Sequence, residues 1–246
     1  MTASLPPKAP RRSSGGRSSA ETRIVRSIGE AIADRRLPPG TKLTEESLAA
    51  AFGVSRERVR KVLLLLSQRR VVTLIPNRGA FVTKPTAREA REVFEARRVI
   101  ERAVMDRLAA LPRPLPADML KRLHDHGALE DAAERAGDRK AMIRLSGQFH
   151  LLLAEFAGNG TLTGILADLI DRSSLAIAAF ERHTAHTCSG EDHRRLIAAL
   201  AGTAPGAATA LMIGHLDAVE AQLDLDPQPE APVDLKAIFA DEGAAE

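Results

Sequence analysis

The sequence contains no tryptophan and no tyrosine, and only 7 of its 246 residues are phenylalanine. Proteins bind single-stranded nucleic acid largely by stacking bases on aromatic rings, so this composition argues against such a partner. The one cysteine, Cys188, excludes an internal disulfide framework and suits a reducing compartment. No apolar run approaches the ~20 residues that cross a bilayer, and the N-terminus lacks the apolar segment of a signal peptide. We therefore expect a cytoplasmic protein without a membrane partner.

Charge is distributed unevenly along the chain, although the net charge is only +3. Residues 1–84 contain 17 basic and 6 acidic side chains, a net charge of +11, whereas the remainder contains 18 and 26, a net charge of −8. A basic part suits phosphate binding, and an acidic part indicates a second, separate function. We predict a disordered basic tail at 1–19, a DNA-binding domain at 20–84, an all-helical domain at 85–224 and a flexible tail at 225–246.

The segment from residue 42 to residue 82 predicts two short amphipathic helices joined by a tight turn. Thr44 can cap the first helix, and Ser55 can cap the second, which begins at Arg56. Gly53 allows the left-handed backbone that such a turn requires. Basic side chains at the start of the second helix suit the base edges and phosphates of the major groove. Double-stranded DNA is the partner that this arrangement predicts, and a solvated charged helix is the alternative.

Two β-branched, apolar runs follow, at residues 71–75 and 79–83, and Pro76-Asn77-Arg78-Gly79 separates them. This pattern predicts a hairpin with Arg78 at its tip, where it could reach a groove or a phosphate. A further helix is predicted over residues 21–36. The N-terminal part is therefore predicted to be a winged helix-turn-helix with a small β-hairpin wing.

From residue 86 onward the apolar residues recur at helical spacing, and no strand is predicted. Proline and glycine punctuation divides this part into six helices at 86–111, 116–136, 138–157, 161–182, 190–201 and 205–223. The predicted fold class is mostly α: the winged helix-turn-helix, followed by an all-α, six-helix antiparallel bundle.

Three histidines in this part fall on or beside the inward-facing stripes of separate predicted helices. They are His150, His193 and His215. Imidazoles converging from three helices could hold one metal ion. Three independent core or half-buried histidines would give the same pattern, so the spacing leaves both interpretations open.

The N-terminal part resembles the winged helix-turn-helix of the GntR superfamily, through the run PPGTKLTEESLAAAFGVSRERVRKVL. The resemblance implies DNA contacts at Ser55, Arg56, Glu57, Arg58 and Arg60, with Gly79 in the wing. Glu57-Arg58 stands where family members often have Thr-Pro. The operator sequence therefore cannot be transferred from relatives.

Residues 86–223 resemble the all-helical FCD effector domain of the FadR-like branch of this superfamily. The matching runs are EARRVIE, QFHLLLAEFAGN and EDHRRLIAAL. The resemblance implies a metal site of His150, His193 and His215, with Zn²⁺ or Ni²⁺ as the ion. Ser146 occupies the position of an expected aspartate ligand, which would leave a neutral site open to water. Arg97 matches an arginine that would clamp a small carboxylate effector, and Arg98 competes with it for the inward position.

These features predict a homodimeric, DNA-binding transcription regulator, by family default a repressor, whose operator binding changes when an organic acid binds the helical domain. The first alternative is a regulator whose helical domain only dimerises, without effector or metal. A metal-dependent hydrolase is the remaining alternative, because a three-histidine metal site can activate water.

Overall fold

The computed structural model describes residues 15–181, 190–202 and 206–226, with side chains from residue 20 onward. The single cysteine and nearly all of the predicted C-terminal tail lie outside these residues. The first helix begins at Gly15 rather than at Glu21. Residues 15–19, predicted as part of a disordered tail, are therefore helical. The predicted disorder of residues 1–14 concerns residues that the structure does not describe.

The N-terminal part is a helix-turn-helix with a small sheet. Its elements in chain order are α1 Gly15–Ala33, β1 Lys42–Leu43, α2 Glu45–Phe52, α3 Arg56–Gln68, β2 Val72–Ile75 and β3 Gly79–Val82. The Thr44 side chain accepts a hydrogen bond from the Ser47 amide at the start of α2. Gly53 ends α2 in the left-handed conformation with φ +64°, which costs glycine little because it has no Cβ.

The wing is larger than the predicted hairpin, because β1 adds a third strand. The three strands are antiparallel in the order β1-β3-β2, with Leu43 opposite Ala80 and Val72 opposite Val82. Asn77 adopts φ +60° in the turn between β2 and β3. Asparagine tolerates this left-handed conformation better than most residues do. Through its pairing with β3, β1 connects the segment before α2 to the hairpin after α3.

The six predicted bundle helices are present. They are α4 Ala87–Ala109, α5 Ala117–Arg135, α6 Arg139–Phe156, α7 Gly160–Phe180, α8 Gly190–Ala201 and α9 Gly206–Ala221. Thr86 and Glu89 form a capping box at the start of α4. Asn159 accepts hydrogen bonds from two amides at the start of α7, so its role is structural. The predicted fold class is confirmed.

The buried apolar side chains of the N-terminal part come from α1, α3 and all three strands. Ile24, Ile28 and Ile32 repeat every four residues on α1 and are at most 2% exposed. Burying each of them stabilises the fold by about 1.5–3 kcal/mol. Leu175 of α7, which is 1% exposed, belongs to the same cluster. A side chain from a bundle helix therefore lies in the core of the helix-turn-helix.

Helix α7 joins the two parts of the molecule, because it contacts α1 as well as α4 and α6. Near the end of α3, Arg69 pairs with Asp168 of α7, with 3.3 Å between Nε and Oδ1. None of the described helices is long and apolar enough to cross a membrane.

Candidate functional site

The start of α3 presents basic side chains to solvent beside the wing. Arg56, Glu57, Arg60 and Lys61 are exposed, and Arg58 is half-buried. The Ser55 hydroxyl accepts a hydrogen bond from the Arg58 amide at 3.3 Å, so this oxygen caps α3. Arg56 and Arg60 line a groove of about 700 Å³ between α3 and the wing.

The wing residue Gly79 lies in the same groove, whereas Arg78 does not line it. Arg60 is held by Glu45 through two short hydrogen bonds, Nε to Oε1 at 2.8 Å and Nη2 to Oε2 at 2.7 Å. A bidentate pair of this kind fixes the guanidinium plane. If Arg60 contacts a phosphate, its guanidinium must therefore either divide its N–H donors between Glu45 and the phosphate or break its hydrogen bonds to Glu45.

Inside the bundle, the structure brings His150, His193 and His215 together from α6, α8 and α9. All three are buried, and one nitrogen from each lies within 4.8 Å of the other two. The Nε2 atoms of His193 and His215 are 3.4 Å apart. Phe149 stacks on the His193 ring at a centroid distance of 4.1 Å and so limits its rotation.

Each histidine bonds a carboxylate through Nδ1. His150 pairs with Glu101 at 2.5 Å, His193 with Glu130 at 2.8 Å, and His215 with Asp192 at 3.3 Å. If Nδ1 carries the proton in each ring, Nε2 is left with a free lone pair. This is the usual arrangement of carboxylate, histidine and metal, in which the outer carboxylate fixes the tautomer.

The protonation states also favour metal binding. Burial lowers the pKa of His150 to about 3, although Glu101 opposes this shift. Burial likewise lowers the pKa of His193, against the hydrogen bond to Glu130. Burial alone would raise the pKa of Glu101, but Arg97 and His150 outweigh it and bring the value to about 2. At neutral pH the two imidazoles are therefore neutral and Glu101 is ionised, as metal ligation requires.

Arg97 lies beside this cluster and is only 5% exposed. Its Nε donates to Glu101 at 2.7 Å, and its Nη1 donates to the Ser173 hydroxyl at 3.1 Å. Within the described part of the chain, its buried Nη2 has no hydrogen-bond partner. Arg97 and Ser146 line a cavity of about 20 Å³ together with His150 and His215. Arg98 points elsewhere and pairs with Asp217 and Glu220, so Arg97 holds the inward position.

Two family models match this chain. The first, bacterial regulatory proteins of the gntR family, matches residues 20–82. The second, the FCD domain, matches residues 92–218, more than half of the chain. The chain belongs to the GntR family of bacterial regulatory proteins and carries an FCD domain.

Relatives of this GntR protein are named as transcriptional regulators rather than enzymes. An HTH-type regulator in an unstable DNA locus of Streptomyces ambofaciens is 30% identical over 56% of this chain and 57% of its own length. The repressor RspR of Escherichia coli is 29% identical over 54% of this chain and 58% of its own. A GntR protein from Rhodococcus sp. RHA1 superposes with a TM-score of 0.72 at 26% identity, covering 85% of this chain and all of the other. The chain thus matches a little over half the length of these two curated relatives.

The GntR protein's histidine cluster fits a divalent metal ion better than its ligand residues alone suggest. Ser146 supplies no charge, but Glu101, Glu130 and Asp192 bring three carboxylates to the cluster, with the guanidinium of Arg97 beside Glu101 and that of Arg195 near Asp192. Negative charge at the cluster therefore comes from the carboxylates that bond the histidines rather than from the residue at position 146. A net negative surrounding compensates a buried divalent ion, and imidazole nitrogens suit Zn²⁺ and Ni²⁺.

The sequence of the GntR protein did not identify these carboxylates as partners of the histidines, although it held a separate local signal for each of two of them. Glu101 follows Arg97 by four residues, a spacing that places both on one helix face, and Asp192 adjoins His193. Glu130 lies 63 residues from His193, so no local pattern connects them. His126 of α5 is half-buried and contacts the Leu145 carbonyl and Glu130.

Proposed function

We propose that this protein is a cytoplasmic transcription regulator that binds operator DNA as a homodimer and responds to a small organic acid. The observation that carries the sensing part is the buried Nη2 of Arg97, which has no hydrogen-bond partner among the residues that the structure describes and lies beside a cavity shared with His150 and His215. A buried donor without an acceptor costs free energy unless a ligand supplies one. Repression is the proposed sign of regulation, supported by the name of the relative RspR.

We propose that residues 20–84 form the DNA-binding domain and residues 85–224 the effector-binding and dimerisation domain, with basic and acidic tails outside them. Residues 20–84 contain 13 basic and 6 acidic side chains, and this net charge of +7 supports phosphate binding by the first domain. A homodimer would place two copies of α3 in successive major grooves of a pseudo-palindromic operator.

The proposed DNA contacts are Ser55, Arg56, Glu57, Arg58 and Arg60 of α3 with Arg78 and Gly79 of the wing. Arg56 and Arg60 line the groove beside the wing, which supports a role for these two arginines in DNA binding. Ser55 has a second role as the cap of α3. Its contribution to DNA binding would therefore combine a phosphate contact with correct placement of the helix.

In the effector site, His150, His193 and His215 would hold Zn²⁺ or Ni²⁺, and Arg97 would bind the effector carboxylate. When bound, such an ion would attract a carboxylate as a Lewis acid. Arg97 adds directional donors that a point charge lacks, and Glu101 keeps its guanidinium oriented. Ser146 lines the same cavity, where its hydroxyl would face the effector. The GntR relatives are regulators, and no hydrolytic reaction is proposed.

Helix α7 is the proposed link between the effector site and the DNA-binding domain. Its residues Ile170, Ser173, Ser174 and Ile177 line the cavity of Arg97. On the same helix, Asp168 pairs with Arg69 at the end of α3, and Leu175 lies in the core of the helix-turn-helix. An effector that binds one position of α7 more tightly would shift the placement of α3 and weaken DNA binding.

Operator selection from random duplex DNA, followed by mobility shifts with the selected and a scrambled sequence, tests the DNA-binding part. We expect strong preference for the selected sequence at moderate salt, and loss of that preference in Arg56→Ala. Arg88→Ala is the matched control, because Arg88 is exposed on α4 and pairs only with Glu92 in the described residues. Equal binding of selected and scrambled DNA by the unaltered protein would refute the proposal.

Metal analysis of the purified full chain, combined with thermal shifts in carboxylic acids, tests the sensing part. We expect Zn²⁺ or Ni²⁺ near one per chain and stabilisation by at least one acid. Loss of the bound metal and of the stabilisation by acids in His193→Ala would support the proposed effector site. Absence of metal and of any ligand-induced shift would instead favour a helical domain that only dimerises.

A further inference from the structure

A second, larger cavity adjoins the small cavity of Arg97. It is a cleft of about 220 Å³ between α1 on one side and α6 and α7 on the other. Four residues line both spaces: Ile143, Gly147, Ile170 and Ser174. The cleft and the small cavity are therefore separated by one layer of side chains, and this layer belongs to α6 and α7.

Most of the surface that lines the cleft is apolar, and several polar groups interrupt it. Val25, Gly29 and Ala33 of α1 face Leu151 of α6 across it. The polar lining residues are Arg26, Glu30, Arg144, Gln148, Asp171 and Ser174. Arg26 and Glu30 pair with each other at 3.8 Å, and Arg144 pairs with Asp34 at 3.4 Å. Three of the four charged lining residues are therefore paired, whereas the Asp171 carboxylate lies inside the cleft, 3.2 Å from the position of an added Cβ at Gly29. The apolar side chains form most of the remaining surface that a ligand would contact.

The small cavity cannot contain an organic acid. Its volume of about 20 Å³ exceeds only slightly the 10–15 Å³ that one water molecule requires. A carboxylate that reaches the unpartnered Nη2 of Arg97 must therefore leave the rest of its molecule outside this cavity. The shared layer places the 220 Å³ cleft next to that position.

We propose that the cleft between α1 and helices α6 and α7 receives the apolar body of the effector, whose carboxylate lies on Arg97. This inference rests on the proposed effector site. It specifies the ligand class as a carboxylic acid with an apolar chain of several carbons. It also means that the ligand touches α1, a helix of the DNA-binding part, directly.

For such a ligand to occupy both spaces, the side chains that separate them must move. At Gly147 the backbone lies so near α7 that an added Cβ would be 2.9 Å from Cγ2 of Ile170. Ile143 and Ile170, which line both spaces, are the side chains that would have to rotate to open this layer. Ligand binding would thus rearrange side chains of α7 next to the contacts that α7 makes with α1 and α3.

Calorimetric titration of the full-length, metal-containing protein with acetate, butanoate and hexanoate tests the inference. We expect affinity to rise about fourfold for each methylene group that enters the cleft. Gly29→Leu fills the cleft from α1, because an added Cβ at this position already lies 3.2 Å from Oδ1 of Asp171. In this variant the gain with chain length should disappear while acetate still binds.

Gly164→Leu is the matched control, because nothing lies within 4 Å of an added Cβ at this exposed position of α7. It should keep the full dependence on chain length. If Gly29→Leu does not fold, Leu151→Trp fills the same cleft from α6 and should have the same effect. Equal affinity for acetate and hexanoate in the unaltered protein would overturn the cleft inference alone. Failure of every acid to bind would overturn the proposed effector site as well.

Discussion

At the scale of single residues, two adjacent arginines on α4 have opposite environments. Arg97 is buried against Glu101 with side-chain exposures of 6% and 2%, whereas the partners of Arg98 include Asp217 at 57%. A buried ion pair loses much more stability than an exposed one when one partner is removed, because the remaining charge stays desolvated. Replacing Arg97 and Arg98 one at a time therefore compares the loss of a buried cation with the loss of a more exposed one on the same helix.

We predict that Arg97→Met lowers the free energy of unfolding by about 3–5 kcal/mol, because ionised Glu101 loses its buried cation. Arg98→Met should cost less than about 1 kcal/mol. Urea denaturation followed by circular dichroism measures both. Adding Glu101→Gln to Arg97→Met should recover part of the loss. Equal losses in the two arginine variants would contradict this account of the pair.

Asp171 gives the protein a defined dependence of stability on pH. Burial, its largest influence, raises its pKa from 3.8 to about 6, while Arg69 lowers it and Asp168 raises it. Because the folded pKa exceeds the unfolded one, the protonated form favours folding. This contribution is complete below pH 4 and is lost as the pH rises through about 6.

We therefore predict that Asp171→Asn raises the free energy of unfolding by about 3 kcal/mol at pH 7.5 and changes it little at pH 4. Urea denaturation at the two pH values measures the difference. Asp168→Asn serves as the control, because Asp168 is half exposed and pairs with Arg69. A stabilisation by Asp171→Asn that is the same at both pH values would rule out titration as its cause.

At the scale of elements, α3 carries the proposed DNA contacts, but α2 restrains one of them. Glu45 at the start of α2 holds Arg60 of α3 through two hydrogen bonds. The neighbouring Glu46 is exposed and lines the same groove. Both carboxylates repel phosphate, and only Glu45 also competes for Arg60.

We predict that Glu45→Gln increases affinity for operator DNA about threefold to tenfold, whereas Glu46→Gln gives a smaller increase. Fluorescence anisotropy with a labelled operator measures both changes. The two variants remove the same charge, so their difference isolates the release of Arg60. Equal increases would show that Arg60 is available to DNA while it is paired with Glu45.

Helix α7 is the element that unites the two parts of the molecule. Its residues line the Arg97 cavity, border the cleft beside α1 and reach into the helix-turn-helix core through Leu175. A rigid helix that is packed on both sides transmits a shift at one face to the other. The proposed response to an effector depends on this shared helix rather than on the linker near Lys84.

At the scale of the whole molecule, the uneven charge determines how DNA binding should respond to salt. The N-terminal 84 residues have a net charge of +11 and the remainder a net charge of −8. Neutralising phosphates with basic side chains releases counterions, so affinity falls as salt rises.

We predict that replacing Arg11 and Arg12 by alanine reduces the salt slope of DNA binding by about 0.9 for each phosphate that these arginines no longer neutralise, while operator preference remains. Arg56→Ala should instead remove the preference. Binding measured between low and moderate salt, with operator and scrambled DNA, separates the two effects. Disappearance of operator preference in the Arg11 and Arg12 variant would contradict the proposed division of roles.

The sequence alone determined the elements and the family, because these depend on local patterns. Thr44, Gly53 and Ser55 place the helix-turn-helix by capping and turn chemistry within a few residues of each other. The third wing strand escaped prediction, because Lys42 and Leu43 become a strand only by pairing with Phe81 and Ala80.

The tertiary structure decided the chemistry of the candidate site. Arg97 and Arg98 compete for the inward position in the sequence, and packing of α4 against α7 and α9 turns Arg97 inward and Arg98 outward. Glu130 meets His193 across 63 residues of chain, a pairing that no local pattern encodes. The cleft beside α1 likewise exists only where α1 packs against α6 and α7. Local sequence sets which helices form, whereas burial and charge pairing between distant helices set what they can bind.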